Sequence, residues 1–236
     1  MISLTALTEN PPVETIPLPL TAVIDTALCV GAGGSTGSLA DKPIVRNAQG
    51  QLLIPGSQLK GRLRHECEKL ARALGWQVFA APAAQSLYPQ ADNSDGTLAQ
   101  VGETPGYHCI ISRIFGNPVL PSRIHVDDLI CPLSATELPE VLRPGVTINR
   151  QRRVAEDAKL FLLETSPANA QLEFHGEIHL LPGLPDLAMP LILSGLRHIH
   201  ALGGSKSTGL GWLSWQVAPR EDNRLNWDAL IPGGMA

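Results

Sequence analysis

The sequence is short of cysteine, of basic excess and of long apolar runs. Its four cysteines (Cys29, Cys67, Cys109, Cys131) are scattered and form no CxxC pair. That excludes a disulfide scaffold and gives a metal site little support. No apolar run reaches the ~18 residues that a membrane helix needs. The start, Met1-Ile2-Ser3-Leu4-Thr5, lacks the basic opening and long apolar stretch of a secretory signal. A cytoplasmic protein without a membrane segment is therefore expected. No internal repeat and no clear domain boundary are present in the 236 residues, so one domain over 1–236 is expected. The formal net charge of -4 lacks the positive excess usual in nucleic-acid binders.

What is present qualifies that last absence. Hydrophobic residues make up 44% and charged residues 17%, enough for a packed core. Of the 18 Lys and Arg residues, seven lie between Lys42 and Arg72 and five between Arg143 and Lys159. Phosphate binding depends on such local density more than on the overall balance. The plain alternative is two solvated faces.

Along the chain, residues 9–19 read as a proline-rich extended lead-in and 20–30 as a strand. Gly31–Ser38 is a glycine-rich loop. Pro43–Arg46 and Gln51–Ile54 are short extended pieces joined by the turn Asn47-Ala48-Gln49-Gly50. Leu59, Leu63, Cys67, Leu70 and Leu74 draw one apolar stripe at helical spacing, with Ser57 as N-cap and Gly75 past the end. Residues 76–122 read as an insertion. A strand is expected at 123–130, a basic segment over 143–164, and an alternating strand from Leu172 to Leu180 broken at Gly176. A second helix runs from Pro185 to Leu202, then come a glycine loop over 203–211 and a last strand over 212–217. The order β–α–β–β–α–β predicts an α+β fold, ferredoxin-like (RRM-like), with a core at about 20–75 and 123–217.

Five features could carry chemistry. The helix start at Gly56-Ser57 offers free N–H groups and a favourable dipole for phosphate, with Lys60 and Arg64 one turn apart beside it. The plain alternative is a capped helix with a basic flank. The loop Gly203-Gly204-Ser205-Lys206-Ser207-Thr208-Gly209-Leu210-Gly211 could form an anion nest or simply end a helix. It lacks the Gly-Lys-Ser/Thr ending of a Walker A motif and follows a helix, which argues against a nucleotide hydrolase. Asp41 is a lone carboxylate near a glycine-rich loop, usually a solvated group. His198 and His200 suit acid–base work on RNA, but two residues apart they cannot share a helix face. His65, Cys67, His108 and Cys109 contain zinc-ligand types, yet Cys67 falls on the apolar stripe.

The run Asp41-Lys42-Pro43-Ile44-Val45-Arg46-Asn47, followed by Ile54-Pro55-Gly56-Ser57-Gln58-Leu59-Lys60-Gly61-Arg62-Leu63-Arg64, resembles the signature of RAMP-superfamily proteins of type III CRISPR systems. Ile114-Phe115-Gly116, Thr147-Ile148-Asn149-Arg150 with Leu163-Glu164, and the 203–211 loop are similar to further elements of that family, in its order. The nearest likeness is to the backbone subunits that line guide RNA. The resemblance implies a protruding thumb hairpin at about 143–164. It implies guide (CRISPR) RNA, target RNA and neighbouring effector subunits as partners in a filament-like complex. It also implies target cleavage at Asp41, with a divalent metal, Mg2+, assisting attack of a 2′-OH on the adjacent phosphate. RNA contacts are expected from Arg46, Gly56, Ser57, Lys60, Arg64, Arg113, Arg150, Arg152, Arg153, Gly203, Gly204, Ser205, Lys206 and Ser207.

Two departures stand out. Asn149 occupies a position where the family usually has aspartate. His108-Cys109-Ile110-Ile111-Ser112-Arg113 stands where many relatives carry zinc-binding cysteines, so a zinc finger looks eroded to the candidates His108 and Cys109. The competing expectations are a catalytically inactive structural RNA-binding subunit and a guide-processing endoribonuclease using His198 or His200.

Overall fold

The structure is a computed structural model that describes residues 15–31, 40–79, 108–118 and 120–217. The Gly31–Ser38 loop and the 76–122 insertion fall mostly outside these residues.

Alternating burial draws the first strand. β1 (Ile16–Ile24) turns Leu18, Leu20, Ala22 and Ile24 inward and leaves Pro17 and Pro19 exposed. It starts inside the expected proline-rich lead-in. The prolines are tolerated because, among the described residues, β8 (Leu213–Val217) pairs with Leu20–Ile24 of β1, and Pro17 and Pro19 lie outside that pairing. β2 (Leu53–Ile54) follows the hairpin turn at Asn47, whose side-chain oxygen accepts N–H bonds from Gln49 and Gln51.

Helix α1 (Gly56–Ala73) buries Leu59, Leu63 and Cys67 as the stripe predicts, while Leu70 and Leu74 are only half-buried. α2 (Ile110–Phe115) ends at Gly116, whose φ of +82° suits glycine. The expected single strand at 123–130 is two: β3 (Ile124–Val126) and β4 (Leu129–Ile130), interrupted at Asp127 and Asp128. β5 (Val141–Asn149) and β6 (Val154–Thr165) form a hairpin that is a sheet of its own.

β7 (Leu172–Leu180) is continuous, contrary to the expected break at Gly176. Glycine is needed there for close approach, since a Cβ would lie 2.6 Å from Leu129 Cδ2 and 3.0 Å from the Asp128 carbonyl oxygen. α3 (Ala188–His198) is shorter at both ends than the apolar spacing suggested. Ile199 is already extended at the helix end, and Ile199 and Leu202 enter the core from the following loop. A short 3-10 turn (Lys206–Thr208) precedes β8.

The main sheet runs β2–β4–β7–β1–β8, with β3 also beside β7, and its strand pairs are antiparallel. The fold is thus α+β with antiparallel sheets. α1 and α3 cross at Gly195, where an added Cβ would meet Cys67 Sγ at 2.6 Å and Leu63 Cδ1 at 2.9 Å. One core joins the inner sheet residues Leu20, Phe174 and Ile178 to Leu59, Leu63, Leu191 and Leu196 of the two helices. The opposite sheet face presents Glu173, His175, Glu177 and His179 from β7 and Thr21 from β1. Among the described residues, no helix is long and apolar enough to cross a membrane.

Candidate nucleic-acid interface

Residues 25–31 continue the chain beyond β1 and form a hub. On one side Leu28 is bonded to Ser166 at the hairpin base, its N–H to the hydroxyl at 2.8 Å and its carbonyl from the Ser166 N–H at 2.9 Å. On another, the Gly204 and Gly211 N–H groups donate to the carbonyls of Cys29 (2.6 Å) and Ala27 (2.9 Å). On a third, Val45 N–H donates to the Val30 carbonyl at 2.8 Å. A small buried cluster of Ala27, Cys29, Leu163 and Leu210 seals the junction. Three segments singled out in the sequence therefore meet: the Asp41 loop, the β5–β6 hairpin base and the glycine loop. Burial pushes the Cys29 thiol up, opposed by the Lys42 charge and the Gly204 N–H.

Within this junction, residues 41–44 lie along β6. The Asp41 N–H donates to the Leu162 carbonyl (3.0 Å), and the Leu162 N–H donates back to Asp41 Oδ2 (2.7 Å). Glu164 N–H donates to the Lys42 carbonyl at 3.1 Å. The Glu164 carboxylate, buried, accepts the Ile44 N–H at 3.0 Å and pairs with Arg46 at 3.2 Å. Arg46 also donates to the Gly50 carbonyl, so its guanidinium is engaged inside the protein. Asp41 itself is exposed, and Oδ1 has no hydrogen bond or ion pair among the described residues. A single hard oxygen of this kind fits Mg2+ in the mode where one carboxylate is completed by phosphate and water.

Three of the hairpin's five Lys and Arg residues stand at its tip. Asn149 Oδ1 accepts the N–H groups of Gln151 and Arg152, each at 3.0 Å, and the Asn149 carbonyl accepts that of Arg153. This Asx turn presents Arg150, Arg152 and Arg153, all exposed. Asparagine at 149 organises the turn with the same oxygen an aspartate would supply. Behind the tip, apolar side chains stand in the open, with Leu160 69% and Val146 46% exposed. Nearer the base, Phe161 lies across Gly145, and Lys42 Nζ sits 5.8 Å from its ring centroid.

The glycine loop is built on left-handed residues: Gly203, Ser205, Gly209 and Gly211 have φ between +53° and +87°. The N–H groups of Ser205, Lys206 and Ser207 have no acceptor among the described residues, and all three side chains are exposed. Trp212 follows, half-exposed and anchored through its N–H to Thr26 Oγ1. Sequence reasoning overlooked this indole. The signal available was an aromatic residue directly after a glycine loop.

The RAMP superfamily model matches residues 21–214. The chain belongs to the RAMP superfamily. Membership implies a CRISPR-associated RNA-binding function, with CRISPR RNA and effector-complex partners in general terms. A comparison with individually curated proteins gave no match.

The second group of candidate residues in this RAMP chain is placed differently. Ser57 is not the cap of α1. The helix begins one residue earlier, after Pro55, and the Gly56 N–H donates to Asp128 Oδ1 at 2.7 Å. Gly56 permits close approach to protein, since a Cβ there would lie 2.1 Å from the Val126 carbonyl oxygen. Lys60 donates to Ser122 Oγ and the Ile124 carbonyl, and Arg64 to Glu68 and the Gly116 carbonyl. Burial and the neighbouring Arg64 charge hold the Lys60 ammonium below its ordinary pKa. Arg113 is half-buried on α2; its backbone N–H donates to the Cys109 carbonyl at 3.0 Å, and its side chain has no hydrogen bond or ion pair among the described residues.

His198 and His200 are exposed at and just past the end of α3, and neither side chain has a hydrogen-bond partner among the described residues. His108 and Cys109 are buried; Asn117 Nδ2 lies 3.2 Å from His108 Nδ1, and Cys109 Sγ donates to Ser112 Oγ at 3.4 Å. Cys67 is deep in the helix crossing, its thiol pushed up to about 12 by burial and then by Glu66 and Glu68. Among the described residues, the three-member metal-ligand set is Asp127, Glu177 and His179 on the sheet surface, which excludes Asp41.

Proposed function

We propose that this RAMP protein is a guide-RNA-lining backbone subunit of a type III effector complex that cleaves target RNA at Asp41. We read the β–α–β–β–α–β order, with neighbours β8–β1–β7–β3/β4, as a ferredoxin-like palm. The β5–β6 hairpin is its thumb. The observation that carries the reading is the meeting of the Asp41 loop, the hairpin base and the glycine loop on residues 25–31.

RNA would pass over this junction and the hairpin. The Arg150–Arg153 tip supplies phosphate contacts, Ser205, Lys206 and Ser207 supply N–H groups, and Trp212 supplies a stacking surface. The open sheet face is a poor alternative. RRM-type sheets stack bases on aromatic side chains, whereas here β7 offers Glu173, His175, Glu177 and His179.

In the reaction, a target 2′-OH attacks the adjacent phosphate and the 5′-oxygen leaves, giving a cyclic phosphate and a 5′-hydroxyl end. Bound Mg2+ would offset the charge that develops on the phosphate. The Leu162 N–H fixes the Asp41 carboxylate through Oδ2, leaving Oδ1 to accept the 2′-OH proton or to hold the cation.

The same Leu162 contact favours a second reading, in which Asp41 only fastens the loop and the subunit is structural. Target-RNA cuts mapped with the co-purified complex separate the two. Asp41→Ala should abolish a set of cuts while target binding persists. Unchanged cleavage products would sink the catalytic assignment.

A further inference from the structure

We propose that Glu164 is a positioning residue for Asp41, and that it makes the cleavage loop move with the hairpin. This rests on the reading of Asp41 as the cleaving carboxylate.

The segment 41–46 has two attachments. Residues 41 and 42 are held by β6 of the hairpin, through the Asp41 N–H, the Lys42 N–H and the Leu162 N–H. Residues 44–46 are held by the body of the protein, through the Val45 N–H to Val30 and the bridges Gly31–Ile44 and Arg46–Leu52. Glu164 stands where the attachments meet. It belongs to β6, yet its carboxylate takes the Ile44 N–H with one oxygen and Arg46 with the other. A carboxylate 3% exposed needs such partners, and a charge-assisted pair at this depth resists shear. The carboxylate therefore fixes the angle between hairpin and loop, and with it the place of Asp41 beside an RNA that the hairpin holds.

The chemistry is sensitive to that angle. A misplacement of about 1 Å between reacting groups costs up to ~100-fold in rate. Loss of Glu164 leaves the backbone bonds between Asp41 and Leu162 but removes the side chain that ties residues 44–46 to the hairpin. The expected defect is in cleavage rate, with target affinity unchanged, because Glu164 is buried away from RNA.

The test uses the assembled complex with Glu164→Ala, Glu164→Gln and Asp41→Ala subunits. Single-turnover cleavage at saturating complex and target dissociation constants are measured for each. Glu164→Ala should slow cleavage ~10–100-fold with the dissociation constant unchanged. Glu164→Gln keeps an acceptor for Ile44 and should fall between Ala and the parent. If Glu164→Ala does not assemble, the Gln variant decides: slowed cutting at unchanged affinity supports positioning, and parental cutting overturns it. Parental rates in Glu164→Ala, or a loss of rate that only follows weaker target binding, also overturn it. Persistent cleavage by Asp41→Ala would instead remove the underlying reading, so the two failures are distinguishable.

Discussion

The Gly56 N–H and Asp128 Oδ1 are joined at 2.7 Å, so a carboxylate from the β3–β4 break caps α1. The first turn that could have met phosphate already meets a negative charge, the preferred partner of a helix N-terminus. Asp128→Ala should therefore lower stability by about 1 kcal/mol, as loss of a cap does. Gly56→Ala should cost about 3 kcal/mol or more, because the clashing atom is the Val126 carbonyl of fixed backbone. Urea denaturation of the purified variants checks both. A Gly56→Ala protein as stable as the parent would show that the strand can yield.

Two glycines on the helices should respond with opposite signs. Gly195 lies against Cys67 and Leu63 at the α1–α3 crossing, and alanine there is expected to cost about 1–3 kcal/mol by overpacking. Gly61 is exposed in the interior of α1, with no atom within 4 Å of a Cβ built there. Alanine at 61 should stabilise by about 0.4–1 kcal/mol, since glycine loses more backbone freedom in a helix. Thermal melts of the two variants should move apart around the parent.

These contrasts mark how far the sequence could be read. Helical spacing located α1 and the centre of α3, and Asn47 announced its turn, because each is a local pattern. Ser57 misled because Asp128, the group that caps α1, lies 72 residues away in sequence. Lys60 and Arg64 resemble phosphate ligands in the sequence for the same reason: Ser122 and Gly116, which engage them, are distant. Gly176 read as a strand break because its reason, contact with Leu129, is tertiary. In the candidate interface, motif order drew attention to Asp41, Glu164 and the glycine loop. Their meeting on residues 25–31 depends on long-range backbone bonds that no periodicity encodes.

Cys67 gives the protein a basic limit. Its thiol is raised from an ordinary 9.0 to about 12 in the folded state, mainly by burial. The unfolded chain releases that proton first as pH rises. The stabilising contribution is therefore intact below pH 9 and lost progressively toward pH 12. Cys67→Ala should have lower stability at neutral pH but a shallower decline above pH 9 in denaturant titrations. The four described cysteines are buried, so thiol reagents should label them slowly until the fold opens.

Salt dependence separates cations that meet RNA from cations that hold the protein together. Replacing Arg150, Arg152 and Arg153 with alanine should weaken RNA binding and lower the slope of log affinity against log salt by up to about 2, at ~0.7 for each single-strand phosphate lost. Stability should hardly change, because these side chains are exposed at the hairpin tip. Trp212→Ala should cost RNA affinity about 1–3 kcal/mol with the slope intact, since stacking releases no counterions. Lys60→Met should do the reverse: it loses the bonds to Ser122 and the Ile124 carbonyl, so stability falls while the salt slope stays at the parental value. A reduced slope in Lys60→Met, with the Arg150–Arg153 variant unchanged, would move the RNA path from the hairpin to the start of α1.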